Sequence, residues 1–329
     1  MQNIAGFIQD LFDVNEQTFT SKTLAIFHYQ AENNPVYRKF LHYLDKNPSL
    51  VTRIEDIPFL PISLYKQQQI LIEGCKTDFY FESSGTGNME RSKHFVPDLA
   101  LYEKSFLKGF NVFYGPVENY CIAALLPSYL ERNNASLVYM CNELIKRSNH
   151  PDSGFFLHDL EKLKSLVLKN ETAGINTLLI GVSFALLDLA EQFNFPLKHT
   201  IVMETGGMKG KREEITRAEL HAVLKKAFQI KSIHSEYGMT ELLSQAYSNG
   251  EGIFKTPAWM KIFIRDTEDP LTLLPIGKTG CINVIDLANS YSCSFIATQD
   301  LGKIHQDGTF EVLGRFDNSD IRGCNLLVD

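Results

Sequence analysis

The chain has 329 residues, 44% of them hydrophobic and 22% charged, with a formal net charge of −7 and a pI near 5.8. That is the composition of a globular protein with a sizeable core, and the acidic balance excludes a general nucleic-acid binder, which carries a basic excess. The six cysteines (Cys75, Cys121, Cys141, Cys281, Cys293 and Cys324) lack CxxC spacing and small-scaffold density, so they read as reduced thiols of a cytoplasmic protein, and no HExxH or Cys/His cluster points to a metal held by side chains alone.

The N-terminus has no basic stretch followed by an apolar one, so no secretory leader is predicted. Ile4, Phe7, Ile8 and Leu11 recur at helical spacing, as do Leu24, Phe27 and Ala31. Asn34-Pro35 reads as a cap followed by proline at the first helical position, opening a helix with Val36, Phe40, Leu41 and Leu44 on one face. The prolines at 58 and 61 then force an extended connection. Beyond about residue 78, short apolar runs alternate with helical patterns. Strands are predicted over 120–126, 177–180, 199–203 and 231–234, and helices over 98–110, 136–146, 158–168 and 183–192. This alternation predicts an α/β sheet covered on both faces. The longest apolar stretch, 178–189, is broken by Gly181, Ser183 and Asp188 and falls short of the ~20 residues that span a bilayer, so no membrane span is predicted. From about residue 255 the texture changes to short strands and turns: 281–285, 294–298 and a hairpin at Asp307-Gly308 predict an antiparallel, barrel-like segment. With no internal repeat and no low-complexity linker, 1–329 reads as one domain. It comprises a helical segment (1–50), an α/β core (51–254) and a β-rich segment (255–329) ending in a short arm.

Four short motifs carry chemistry. Ser83-Ser84-Gly85-Thr86-Gly87 follows a strand-like run over 78–82. It reads either as a flexible surface turn or as a loop whose amides and hydroxyls cradle an anion, with Arg91, Lys93 and His94 adding positive charge. The GxxxxGK[ST] spacing of a Walker loop is absent. Next comes Gly206-Gly207-Met208-Lys209-Gly210-Lys211-Arg212, between a strand and a helix carrying Ile215, Leu220, Leu224 and Phe228. A solvated basic turn and an anion site explain it equally, since cations sit unfavourably at a helix N-terminus. In Tyr237-Gly238-Met239-Thr240-Glu241 the ring could stack on a base, the hydroxyl could bond a phosphate, and the carboxylate could hold Mg²⁺; a strand-end turn also accounts for it. Last, Asp300 follows a strand and could accept ribose hydroxyls, with Arg315 of Gly314-Arg315-Phe316-Asp317 reaching the same sugar or a phosphate; a salt-bridged turn is the alternative.

In order and spacing these four segments resemble the core motifs of the ANL superfamily of adenylate-forming enzymes, and within it the LuxE-type acyl-protein synthetases. The latter likeness rests on the stretch from Leu126 through Tyr129 and Arg132 into Ser136–Met140, on the Gly-Gly-x-Lys turn, and on the terminal Arg322-Gly323-Cys324. It extends from about Ile54 to the end of the chain. The resemblance implies an α/β fold of the large ANL N-terminal domain, with mixed sheets under helices plus a small barrel-like segment. It implies ATP and Mg²⁺ as cofactors and a carboxylic, fatty acid as substrate. Ser83, Ser84, Gly85, Thr86 and Gly87 would cradle the β- and γ-phosphates. Gly206, Gly207, Tyr237 and Gly238 would frame the adenine, Thr240 would touch the α-phosphate, Glu241 would hold Mg²⁺, and Asp300 and Arg315 would hold the ribose. The chain departs from the pattern where the loop lacks a second threonine and a following Pro-Lys, which leaves Lys93 or Arg91 as the loop cation. It departs again at Asp317-Asn318, where a double aspartate is common. Most superfamily members continue into a mobile C-terminal domain whose lysine stabilises the adenylation transition state. This chain ends soon after Arg315, as LuxE-type proteins do, so we expect it to be complete without that domain. Cys324 would then carry the acyl group as a thioester on a short arm, with Arg322 favouring the thiolate; docking of the tail through Leu326-Leu327-Val328 is the alternative.

A substrate carboxylate is already a nucleophile at neutral pH, so its attack on the α-phosphate needs no general base, only positioning and cancellation of charge. The expected activity is therefore a ligase: ATP and an acid give acyl-AMP, then a thioester with a protein partner such as a reductase, carrier or transferase, or with CoA. The alternatives are an aryl- or acyl-CoA ligase resembling phenylacetate-CoA ligases, and a non-catalytic nucleotide-binding partner protein.

Overall fold

Asn15 and Asn34 open the N-terminal helices of this computed structural model, which describes residues 4–84, 90–127, 134–206 and 215–316. The Asn15 side chain accepts from the Gln17 and Thr18 amides and starts the helix Glu16–Asn33, with Thr18 completing a capping box. Asn34 ends that helix and begins Pro35–Tyr43, accepting from the Val36 and Tyr37 amides with Pro35 in the first turn, as predicted. Shorter helices precede and follow, including Ile4–Gln9. Among the described residues no helix is long and apolar enough to cross a membrane.

The chain gathers into two units. One comprises Met1–Asp78, Phe95–Pro97 and Ala258–Asp329; the other comprises Phe79–His94 and Asp98–Pro257. In the first, the strands Met260–Arg265, Thr279–Asp286, Phe295–Ile304 and Phe310–Arg315 pair antiparallel in chain order. The pair Leu60–Pro61 adds parallel to Ile296 and Ala297. The N-terminal helices are fastened to this sheet by apolar and polar contacts together. Phe295 packs against Phe27, Tyr37 and Phe59 with ring centroids 5.8, 6.0 and 6.4 Å apart. The buried Gln30 amide donates to Asn289 O, Ser290 O and Ser294 Oγ, and its Oε1 accepts from the Ser294 amide. Such burial is what makes a helix of modest intrinsic propensity stable. A bulge between Leu301 and Gly302 bends the long strand, and a Cβ at Gly302 would lie 2.6 Å from Glu311 O, so only glycine fits there.

In the second unit the ladder runs Ile253–Lys255, Ala246–Ser248, His234–Tyr237, Thr200–Thr205, Thr177–Val182, Cys121–Leu125, Gly154–Phe155. It is parallel from His234–Tyr237 to Gly154–Phe155 and antiparallel in the other steps. Cys121–Leu125 and Thr177–Val182 are buried along their whole length, as expected of inner parallel strands. The helices Leu99–Tyr114, Ser136–Ser148, Leu160–Ala173, Ser183–Gln192 and Arg217–Phe228 fall between them, several entered through a side-chain cap: Asp98 on Leu101, Asp159 on Lys162, and a Thr216/Glu219 box.

One predicted strand is displaced. The strand expected over 231–234 runs instead over His234–Tyr237, aligned parallel with Met203–Thr205 and antiparallel to Ala246–Ser248. Its Ser235 and Glu236 are buried yet polar, so an apolar run could not reveal it. Ladder bonds on both sides and side-chain partners for the polar residues outweigh their low β-propensity.

Candidate functional site

The strand Tyr80–Glu82 leads to Ser83 and Ser84 and forms a two-stranded ribbon with Lys93–Phe95. At its open end the Ser83 amide donates to Ser92 O at 3.0 Å, and the Ser92 amide donates to Ser83 Oγ at 2.9 Å. Of the three cations expected near the loop, each has its own arrangement. Arg91 is ion-paired with Glu82 at 2.8 Å, and Lys93 is exposed, its Nζ 4.8 Å from the centre of the Tyr80 ring.

His94 overturns its expectation. It is 1% exposed, and burial pushes it from 6.5 down to about 4, against a smaller upward pull from its hydrogen bond with the Thr240 carbonyl. It is neutral at physiological pH and adds no positive charge. Its Nδ1 lies 3.0 Å from Thr240 O, so this nitrogen carries the proton and donates. The ribbon that delivers Ser83 and the turn that delivers Thr240 are therefore joined by one buried hydrogen bond.

That turn lies between two antiparallel strands. Ser235, Glu236 and Tyr237 pair with Ser248, Tyr247 and Ala246, and residues 238–245 connect them. Gly238, Met239 and Thr240 are partly exposed, whereas Glu241 is buried. The Tyr237 ring is also buried, edge-on to Phe254 at 6.0 Å. Gly238 has a specific cause: a Cβ there would stand 2.4 Å from Glu236 Oε1. Glu236 itself, buried and accepting from Thr205 Oγ1 at 2.5 Å, is absent from the sequence-predicted site. Its signal was present in the sequence, a carboxylate directly before the Tyr-Gly motif.

Gly206 ends the strand Thr200–Thr205 with a φ of +64°, and its carbonyl accepts from Ser183 Oγ at 2.6 Å. Beside it lies a second group that the sequence reading missed. Buried Glu204 accepts from Arg217 Nε at 3.0 Å and lies 3.6 Å from His221 Nε2. Burial works against its charge, but His221, the Arg217 guanidinium and Ser235 together hold it below the ordinary carboxylate value.

Within the other unit, Asp300 and Arg315 are register partners on neighbouring strands, with Arg315 Nε 4.0 Å from Asp300 Oδ1. The Arg315 side chain is 85% exposed and that of Asp300 17%. Buried Arg265 braces the approach to Asp300. Its guanidinium donates to Ile282 O, Asn283 Oδ1 and Thr298 O at 2.8, 2.7 and 2.6 Å, and Thr298 Oγ1 accepts from the Asp300 amide at 3.1 Å.

The structure thus brings together Ser83, Thr240 and the Tyr237–Glu241 segment in one unit, and Asp300 with Arg315 in the other. Gly85, Thr86, Gly87, Gly207 and Cys324, along with Tyr129, Arg132, Lys209, Lys211, Arg212 and Asp317, lie outside the described residues. Among the described residues no group of three His, Cys, Asp or Glu side chains is arranged to cage a metal.

Solved structures similar to this one are adenylate-forming ligases. A 2-hydroxyisobutyryl-CoA ligase, in an open conformation with 2-HIB-AMP and CoA, superposes with a TM-score of 0.60 at 14% identity, over 91% of this chain and 70% of that one. ATP-bound MatB from Rhodopseudomonas palustris gives 0.54 at 18% identity over 72% and 47%. MenE, the O-succinylbenzoate coenzyme A synthetase of Bacillus subtilis with ATP and magnesium, gives 0.53 at 16% over 73% and 50%. The chain covers about half the length of MatB and MenE. At these identities the likeness shows the fold, the mixed α/β architecture of ANL-type N-terminal domains. No curated protein matches the chain. The family model for acyl-protein synthetase, LuxE, matches residues 160–329, a stretch that holds Gly206, the turn at Tyr237–Glu241, Asp300 and Arg315; at just over half its length, that match makes the chain a member of the LuxE acyl-protein synthetase family.

Proposed function

We propose that the protein uses ATP to convert a carboxylic acid into an acyl-adenylate and pyrophosphate, and passes the acyl group to a protein thiol. The observation that supports this best, beside family membership, is the His94–Thr240 bond, which ties the end of the Ser83 ribbon to the Thr-Glu turn. Ser83 and Ser84, with Gly85, Thr86 and Gly87, hold the outer phosphates in this reading, and Lys93 supplies a nearby cation. Thr240 meets the α-phosphate. Gly206, Gly207, Tyr237 and Gly238 border the adenine, and Asp300 and Arg315 accept and steady the ribose.

The oxygen donors of Thr240 and Glu241 fit Mg²⁺, a hard cation that binds through one or two carboxylates and completes its shell with phosphate and water. When bound, it supplies charge neutralisation at the phosphates. The chain's own contribution is placement. The neutral His94 fixes the Thr240 backbone without adding a charge, and loop amides meet the phosphate oxygens. The acid carboxylate, held in line, attacks the α-phosphorus; its oxygen forms the new P–O bond as the bond to pyrophosphate breaks. Cys324 then attacks the acyl carbon as thiolate, forming a thioester and releasing AMP.

MatB and MenE are solved with ATP, MenE also with magnesium, which agrees with this cofactor assignment. CoA is the rival acceptor, favoured by the fold likeness to the CoA-bound ligase. ATP–pyrophosphate exchange across a panel of acids, with and without CoA, tests the reading. Exchange should require both an acid and Mg²⁺, and radiolabelled acid should appear as hydroxylamine-labile label on the wild type but not on Cys324→Ser. Nucleotide binding with no exchange for any acid would favour the non-catalytic alternative. Label persisting on Cys324→Ser would place the thioester elsewhere, and free acyl-CoA would make CoA the acceptor.

A further inference from the structure

In the second unit three neighbouring parallel strands come to their carboxyl ends side by side. Val182 is the register partner of Thr205, and Thr205 is that of Glu236. The next residues along the chain are Ser183, Gly206 and Tyr237. Ligands of open α/β sheets sit beyond the carboxyl ends of the strands, so whatever fixes these ends relative to one another shapes a site built on them.

Side chains add to the ladder here. Ser183 Oγ donates to Gly206 O at 2.6 Å, from the Val182 side. From the other side, the Glu236 carboxylate engages two segments at once. Its Oε2 accepts from Thr205 Oγ1 at 2.5 Å, and its Oε1 fills the space beside Gly238, 2.4 Å from where a Cβ on that residue would stand. Gln245 Cγ packs against the same place, 3.4 Å from that Cβ position. Glycine at 238 is therefore a condition of where the carboxylate lies. Thr205 and Glu236 are buried, whereas Gly206 is exposed and Gly238 partly so. The bond thus lies beneath the residues that face outward at the strand ends. A hydroxyl donating to a carboxylate makes a charge-assisted bond, roughly twice as strong as one between neutral groups.

We infer that the Thr205–Glu236 bond holds Gly206 and the Tyr237–Gly238 segment at the separation an adenine ring needs, and so sets a preference for adenine over other bases. The inference rests on the proposed placing of adenine between these segments. Thr205 and Glu236 act as positioning residues, since they are covered by the residues that would meet the base. Without the bond the strands stay paired by their ladder, but the segments beyond them lose their fixed spacing. A flat ring gains full contact from both sides only when the gap is set in advance, because otherwise binding has to order the segments itself.

The test compares Thr205→Val, which keeps the branched shape and removes the donor, with Thr205→Ser, which keeps the donor. Binding of ATP and of GTP to the full chain is measured by calorimetry with Mg²⁺, and pyrophosphate exchange gives KM for ATP, pyrophosphate and the acid. Thr205→Val should weaken ATP binding by about tenfold and GTP binding by clearly less, so that the wild-type preference for ATP narrows. Its KM for ATP should rise while those for pyrophosphate and the acid hold, and Thr205→Ser should behave as the wild type. In a Glu236→Gln background the Val substitution should cost less, because a neutral amide is the weaker acceptor. Urea melts establish that each variant is folded, and if Thr205→Val does not fold, Thr205→Ala set against Thr205→Ser decides. A lowered unfolding midpoint with the ATP preference intact would make the bond merely structural and overturn the inference, leaving adenylation untouched. Equal losses in the Val and Ser variants, or an equal rise in all three KM values, would overturn it too. ATP binding without exchange for any acid would sink adenylation, and the binding comparison alone would then decide the inference. A wild type that binds ATP and GTP equally would overturn it outright.

Discussion

Glu241 is buried within the 238–245 turn, beside the partly exposed Thr240. A carboxylate holding Mg²⁺ matters most as charge builds at the α-phosphate, and a neutral amide of equal shape is a poor ligand for a hard cation. Glu241→Gln should therefore reduce pyrophosphate exchange by far more than it weakens metal-free ATP binding measured by calorimetry. Equal losses in both would make Glu241 a structural residue. Gly238 is a matter of space: an alanine there places its methyl 2.4 Å from Glu236 Oε1, and that carboxylate is already engaged by Thr205. Gly238→Ala should cost about 1–3 kcal/mol in urea unfolding. An unchanged midpoint would mean the carboxylate swings aside freely.

Within the β-rich unit, the segment carrying Asp300 is braced by a side chain that reaches it from two strands away. Arg265 donates to three acceptors along this path, and two of them are backbone carbonyls. Removing the guanidinium strands those acceptors in a buried place. Arg265→Met should cost of order 3 kcal/mol of stability and weaken ATP binding as well. Asp300→Ala tests the ribose contact proposed for this carboxylate. It should weaken ATP binding by about 1–3 kcal/mol, the loss of a charged hydrogen-bonding group, with little change in the unfolding midpoint. Calorimetry and urea melts on both variants separate bracing from contact, and an ATP affinity unchanged in Asp300→Ala would remove that residue from the site.

At the scale of the whole molecule, the buried His94 and Glu204 each contribute to acid stability. Folded His94 refuses a proton until about pH 4, whereas the unfolded chain takes one near 6.5. Between those values the unfolded state binds more protons, so this contribution is fully present above pH 6.5 and is lost as pH falls towards 4, by about 3 kcal/mol in all. Glu204 acts in the same direction at lower pH. Its folded value is depressed, so its contribution is present above the ordinary 4.5 and declines as pH falls through the folded value. Urea unfolding from pH 7 to 4 should show a stability loss that His94→Gln largely removes, because Gln can still donate to the Thr240 carbonyl and does not titrate. A slope unchanged in that variant would show that His94 is protonated in the folded chain.

The sequence by itself determined the features that depend on neighbours along the chain. Asn34-Pro35 caps a helix because the amides that its side chain accepts from lie two and three residues away, and the short apolar runs at 121–125 and 177–182 form buried strands. The order of the Ser-Gly, Gly-Gly, Tyr-Gly and Gly-Arg motifs was equally legible, and it led to the family that the comparison shows. Only the tertiary structure decided the state of the polar side chains. His94 stands next to Lys93 in the chain and read as one more cation, yet its hydrogen-bond partner is 146 residues away and burial keeps it neutral. The strand His234–Tyr237 is polar, and its β structure comes from ladders on both sides; Glu236, Gln245 and the Glu204–Arg217–His221 group likewise meet only in the folded chain. Local pattern suffices where the energy comes from burying apolar surface or capping a nearby amide. The charge and hydrogen bonding of a buried polar group are set by desolvation and by partners distant in sequence, which exist only once the fold has formed.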